Sequence, residues 1–134
     1  MPLTQNLTGR SLTGLFHTEE RYDLNILILY HNPKSGLFIA KGSDKFGDSG
    51  LVGAIREELC ETAPIVCSLG YTIKFHKQYA GLPLNRDGLF RTENTFYEGN
   101  FWIEHERVYC EGNFKLSTDE NADFEGIWKL QSAE

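Results

Sequence analysis

Cysteine, long apolar runs and positive charge are all scarce in this 134-residue sequence. The three cysteines, Cys60, Cys67 and Cys110, cannot all pair with one another, and their spacing matches no zinc motif. We therefore expect reduced thiols in a cytoplasmic protein, with a Cys60–Cys67 disulfide as the less supported alternative. No apolar run approaches the roughly 20 residues of a membrane-spanning helix. The sequence therefore predicts no membrane span. The first ten residues also lack the apolar segment of a secretory signal.

Lysine and arginine total 13 against 19 aspartates and glutamates, and the net charge is −6. A nucleic-acid partner would require a basic face, so we expect none. The four histidines are scattered without metal-ligand spacing, and the chain has no nucleophile elbow, phosphate loop or CxxC pair. The sequence therefore predicts no metal and no cofactor, and it favours a protein that is not an enzyme.

Glycine, in contrast, is abundant and patterned, with 13 residues. An apolar residue stands two positions before and two positions after several of these glycines. Because alternate residues of a strand share one face, such a glycine lies on the same face as two bulky side chains. Glycine weakens a strand but lets a sheet bend around large interior side chains. The pattern predicts a small closed barrel with these glycines turned inward, namely Gly14, Gly53, Gly99, Gly112, Gly126 and, more weakly, Gly42.

Period-two segments and turn residues divide the chain into eight strands with mostly short connections. Such strands pair antiparallel with their neighbours. We predict an all-β fold: a single eight-stranded antiparallel up-and-down β-barrel in residues 11–134, preceded by a polar lead-in at 1–10. Little or no helix is expected, although 56–63 fits either a short helix or an irregular connection. The predicted strands are 11–19, 24–31, 37–42, 50–57, 66–79, 92–103, 107–116 and 123–131.

In this order of strands, the loops 43–49, 80–91 and 117–122 all lie at one end of the barrel. Functional loops gather at one mouth of a rigid scaffold, so we place any site there. Alternation turns Lys77 inward near this mouth, beside Tyr79. An inward lysine needs a partner or water, and Asp44 is the natural partner. Two interpretations stay open: a structural ion pair, or a cation for an anionic ligand head group.

Aromatic residues dominate the glycine face, and Phe75 faces inward with them on the fifth strand. They either form the core or, if the barrel is hollow, line an apolar pocket. The remaining members of this set are Phe16, Tyr97, Phe101, Phe114 and Trp128.

Four other apolar residues fall on the opposite face of their strands. Together they predict an outer patch that a homo-oligomer would cover. They are Leu27, Leu29, Phe96 and Trp102.

The opening Leu12-Thr13-Gly14-Leu15-Phe16 resembles the first strand of calycin-type barrels, namely lipocalins, fatty-acid-binding proteins and avidins. The chain is also similar to small barrel modules of unassigned role, although those modules often have Phe in place of Ser49 and Trp in place of Phe114. The resemblance implies a barrel and no particular reaction. The matching segments are Gly42-Ser43-Asp44 leading to Gly53, Lys77-Gln78-Tyr79, Tyr97-Glu98-Gly99 and Cys110-Glu111-Gly112-Asn113-Phe114.

These observations favour a non-enzymatic binding module that holds a small, partly apolar ligand at the mouth. Lys77, Asp44, Tyr79 and Tyr97 would lie near the ligand, above the aromatic interior. One alternative is a filled barrel that acts as a protein-interaction or assembly module. Another is a small barrel isomerase, cyclase or lyase in which Lys77 or Tyr79 moves a proton. The sequence leaves open whether the interior is hollow or filled.

Overall fold

The computed structural model describes residues 5–57, 71–79, 95–115 and 123–132, and of Tyr79 it describes only the backbone. Within these ranges the chain forms eight strands and no helix, which confirms the predicted all-β class. The predicted alternatives for 56–63 and the loops 80–91 and 117–122 lie wholly or mostly outside the described residues. The strands are β1 (Ser11–His17), β2 (Arg21–His31), β3 (Leu37–Asp44), β4 (Gly47–Glu57), β5 (Tyr71–Tyr79), β6 (Thr95–Glu104), β7 (Arg107–Lys115) and β8 (Gly126–Ser132).

Each strand pairs antiparallel with the next strand along the chain, and β1 pairs with β8 to close the sheet. The predicted up-and-down barrel is therefore confirmed. Eight strands enclose an interior just wide enough to be filled by side chains or to hold one small ligand.

Alternation along the strands separates interior from exterior, as the period-two pattern predicts. In β3, for example, Phe38 and Ala40 are buried whereas Leu37 and Ile39 are about half exposed. Burying apolar side chains contributes about 1.5–3 kcal/mol each, so this shared interior is the main source of stability. The largest buried apolar side chains are Phe16, Phe38, Phe75, Tyr97, Phe101, Phe114 and Trp128.

The inward glycines let neighbouring strands approach closely around the largest side chain. Gly112 lies opposite both Gly99 and Trp128, and a Cβ at Gly112 would collide with the carbonyl oxygen of Glu98. The indole nitrogen of Trp128 donates hydrogen bonds to the carbonyl oxygens of Glu98, at 3.2 Å, and Asn113, at 3.0 Å. Because glycine has no side chain, the strands approach closely enough for the buried indole N–H of Trp128 to reach backbone carbonyl oxygens.

The connection between β3 and β4 is shorter than the predicted loop 43–49. Ser43 still pairs with Asp48, so only Lys45 and Phe46 form the turn. An Asp44 Oδ1 atom accepts a hydrogen bond of 2.8 Å from the Phe46 amide, which fixes the chain reversal locally. Gly47 follows with a φ of 123°, which favours glycine. Cross-strand pairing therefore extends both strands into residues whose composition resembles a loop.

The end of the barrel opposite this turn is covered by residues 5–10, part of the predicted polar lead-in. Leu7 is fully buried there. The Gly9 amide donates to the Ile28 carbonyl at 2.8 Å, and the Ile28 amide donates to the Arg10 carbonyl at 2.9 Å. The segment is thus bonded to β2 as a strap, and it leaves the β3–β4 end as the candidate mouth.

Candidate functional site

The centre of the mouth is a buried ion pair between two strands that do not pair with each other. Lys77 lies near the end of β5 and Asp44 at the end of β3, with β4 between them. The Lys77 Nζ atom is 3.2 Å from Asp44 Oδ2, and the two side chains are 1% and 0% exposed. The structure thus shows the partnership that the sequence predicts. Its role in ligand binding stays a prediction.

Two aromatic rings enclose the lysine ammonium. The Nζ atom lies 4.3 Å from the centre of the Phe16 ring and 5.1 Å from that of the Tyr97 ring. The negative face of an aromatic ring attracts a cation, more strongly where water is excluded. Rings and carboxylate together compensate the cost of removing this ammonium from water.

Two further polar side chains are buried at the same level. Thr95 is paired with Lys77 across β5 and β6, and Ser49 begins the inward row of β4. The Ser49 hydroxyl has no hydrogen-bond partner among the described residues. A buried hydroxyl costs free energy unless it is hydrogen-bonded, so Ser49 has capacity for a polar group at the mouth.

A series of aromatic rings connects the rim of the mouth with the core. Phe46, at the β3–β4 turn, is 50% exposed, and its ring centre lies 5.0 Å from that of Tyr22. Tyr22 contacts Phe16 at 5.2 Å, and Phe16 contacts Phe114 at 5.7 Å. Sequence reasoning missed Phe46 and Tyr22. The available signal was an aromatic residue at a turn tip, where polar residues and glycine are usual.

Below the mouth the interior is filled by stacked rings. Phe75 stacks on Tyr97 at 4.7 Å, and Tyr97 stacks on Phe114 at 5.2 Å. Trp128 packs edge-on against Phe75 at 5.3 Å. The cavity that the described residues leave beneath this stack measures about 10 Å³ and is lined by apolar side chains. That is at the lower limit for a single water molecule, so this cavity is too small for a ligand.

The structure therefore divides the predicted site residues into two groups. Lys77, Asp44, Phe16 and Tyr97 meet at the mouth. Phe75, Phe114 and Trp128 form the ring stack beneath it, whereas Phe101 contacts Tyr71 at 6.1 Å towards the strap end. The structure describes only the backbone of Tyr79, so the predicted role of the Tyr79 side chain is untested.

The four outer residues predicted as one patch do not come together. Leu27 and Leu29 lie on β2, whereas Phe96 and Trp102 lie on β6, with three strands between them on either path around the closed sheet. Phe96 packs against His76 at 5.1 Å, and Trp102 stacks on Tyr109 at 5.7 Å. Alternation along a strand shows only whether a side chain points into or out of the barrel. It could not show how far apart these residues lie around the circumference.

A groove of about 700 Å³ crosses the outer surface of β1 to β4. Ser11, Asn25, Lys41 and Asp48 lie along it, and all four are exposed. Exposed polar side chains of this kind are ordinary for a solvated sheet face, so we assign the groove no ligand.

Within the described ranges, no three His, Cys, Asp or Glu side chains are grouped closely enough to hold a metal ion. The same part of the chain contains no helix of the length and apolarity needed to cross a membrane.

The described strands define an all-β protein with a closed antiparallel barrel and a buried ion pair at its mouth. Comparisons with protein-family models, with curated proteins and with solved structures gave no match.

Proposed function

We propose that this barrel is a non-enzymatic binding module that holds a small, partly apolar ligand at its mouth. The observation that carries the proposal is the buried Lys77–Asp44 pair between the Phe16 and Tyr97 rings. Ligand sites combine apolar surface with a few fixed polar groups, which is the composition of this end of the barrel. The resemblance to calycin-type barrels supports the same function.

The chemistry of the mouth defines the ligand. An apolar part would contact Phe46 and Tyr22 at the rim, which offer aromatic surface. A hydrogen-bonding or anionic group would approach the Ser49 hydroxyl and the Lys77 ammonium. Because the cavity that the described residues leave beneath the ring stack is too small for a ligand, we place the ligand across the mouth.

The binding test uses anilinonaphthalene sulfonate, an aromatic anion that fluoresces in apolar surroundings. We expect Phe46→Ser to weaken its binding by roughly tenfold, which corresponds to about 1.4 kcal/mol. Ile127→Ser is the matched control, because it removes an apolar side chain that is 45% exposed on the outer wall of β8. Equal affinity of the Phe46→Ser variant and the wild type, both shown to be folded by circular dichroism, refutes the mouth as the binding site.

Native mass spectrometry of protein purified from its own source addresses the natural ligand. We expect a retained small molecule that is lost in Phe46→Ser and kept in Ile127→Ser. A retained molecule that Phe46→Ser keeps contradicts the proposal.

The filled interior favours a second candidate, a protein-interaction module. With a cavity of only about 10 Å³ beneath the ring stack, this part of the barrel acts as a rigid support. Its function would then lie on the outer surface. No contact among the described residues favours the isomerase, cyclase or lyase alternative over binding.

A further inference from the structure

Five large apolar side chains lie together on the outer face of β2, β3 and β4. Tyr30 pairs with Ile39, and Ile39 pairs with Val52, so these three form a continuous row across the strands. All five are between 48% and 59% exposed. We call this surface the outer apolar patch; its members are Leu29, Tyr30, Leu37, Ile39 and Val52.

A β-bulge in β2 enlarges this patch. The register shifts between Ile28 and Tyr30, so Leu29 is the additional residue. Both Leu29 and Tyr30 are therefore exposed, although strict alternation would turn one of them inward. Large contiguous apolar patches on a monomer are often functional, and these five half-exposed side chains form one continuous apolar surface.

Exposed basic side chains surround the patch. Lys41 is two residues from Ile39 on β3. Lys74 on β5 pairs with Ala54, which is two residues from Val52 on β4. Arg56 and Lys34 lie towards the β2–β3 turn, beyond Leu37. None of these four cations forms an ion pair with another described residue.

The basic rim contrasts with the chain as a whole, whose net charge is −6. Among the described residues, the acidic side chains on the outer face of these strands and their neighbours lie at the margins of the patch, with Glu98 opposite Lys74 and with Asp23 and Asp48 towards the mouth. Complementary charge selects partners and rejects like-charged surfaces. In a symmetric dimer through this patch, the same cations would face one another.

We propose that the outer apolar patch binds an acidic segment of another protein, one in which apolar side chains alternate with aspartate or glutamate. The apolar side chains cover Tyr30, Ile39 and Val52, and the carboxylates approach Lys41, Lys74 and Arg56. This function is independent of ligand binding at the mouth.

A phage-displayed library of random linear peptides, selected on the full-length protein, tests the proposal. We expect the enriched peptides to combine acidic with apolar residues and to bind more weakly as salt rises. Val52→Ser and the double variant Lys41→Glu, Lys74→Glu should each weaken a selected peptide by about tenfold or more. Ile127→Ser and the double variant Arg21→Glu, Lys45→Glu are matched controls, since they alter exposed residues away from the patch and should bind as the wild type does.

Several results overturn the proposal. One is a selection that yields no peptide, or peptides without acidic residues. Another is equal binding by the patch variants and the controls. Sedimentation gives a third such result if the wild type is a dimer and Val52→Ser is a monomer. The patch would then bind a second copy of the chain instead. Binding to phosphatidylserine vesicles that depends on the patch, without peptide binding, assigns it to a membrane surface. Loss of peptide binding in Phe46→Ser places the partner at the mouth.

Discussion

The backbone amide of Leu7 donates a buried hydrogen bond of 3.0 Å to Nδ1 of His31. The His31 amide in turn donates a 3.0 Å hydrogen bond to Oγ1 of Thr8. Because Nδ1 accepts, the neutral imidazole carries its proton on Nε2, which has no partner among the described residues. The strap that closes one end of the barrel therefore depends on an uncharged histidine.

This relationship predicts that acid destabilises the barrel through His31. Burial lowers the pKa of His31 from its ordinary value of 6.5, so below about pH 6.5 the unfolded chain takes up a proton before the folded chain does. The contribution of neutral His31 to the free energy of unfolding is fully present above that pH. It is lost progressively as the pH decreases towards the pKa of His31 in the folded protein. The slope is at most about 1.4 kcal/mol per pH unit for one proton. Urea unfolding between pH 7.5 and pH 5 measures it.

The matched variant for this prediction is His31→Asn, whose Oδ1 can accept the Leu7 amide without titrating. We expect a shallower pH dependence than in the wild type, with lower stability throughout because the smaller side chain leaves a void. His105→Asn is the control, since His105 lies in an exposed turn with φ 50°, which asparagine tolerates. An equal slope in wild type and His31→Asn contradicts the assignment.

Lys77→Met should destabilise the fold by about 3–5 kcal/mol, because it leaves the Asp44 carboxylate buried without its ammonium. The double variant Lys77→Met, Asp44→Asn should recover much of this loss, since both members of the pair are then neutral. Asparagine also keeps an oxygen that can accept the Phe46 amide. Chemical denaturation measures both values. A double variant no more stable than Lys77→Met would show that the pair is not the origin of the effect.

Gly112→Ala should cost about 3 kcal/mol, because its Cβ would meet the Glu98 carbonyl oxygen, a backbone atom that cannot rotate away. Gly50→Ala is the control on an outward position, where a Cβ meets nothing within 4 Å. Its effect should stay within about 0.5 kcal/mol. Thermal unfolding of the two variants compares them. Similar melting temperatures would mean that the inward glycines do not enable the close approach of the strands.

Cys110 should resist thiol reagents in the folded protein. It is 1% exposed, and burial raises the pKa of its thiol, so the reactive thiolate is suppressed. Iodoacetamide labelling at pH 8, followed by peptide mapping, separates it from Cys60 and Cys67. We expect modification of Cys110 only after urea is added. Labelling of the native protein at the rate of a free thiol would contradict its burial.

Much of the architecture follows from local patterns in the sequence. Glycines two residues from apolar side chains predict inward positions, as at Gly14 and Gly53, and the same alternation turns Lys77 towards Asp44. Local patterns succeed here because the face of a side chain depends only on its parity within the strand. Pairing with neighbours then overrides composition at residues 43–49, where hydrogen bonding extends both strands into a predicted loop.

The sequence by itself thus determined the all-β class, the closed barrel and the interior aromatic set, because each depends on strand periodicity. Only the tertiary structure decided that Leu7 covers one end, that a bulge turns Tyr30 outward and His31 inward, and that Phe46 joins the rim of the mouth. It also decided which outward residues are neighbours around the barrel. These features depend on register between strands and on contacts between distant segments, about which the parity of a single strand carries no information.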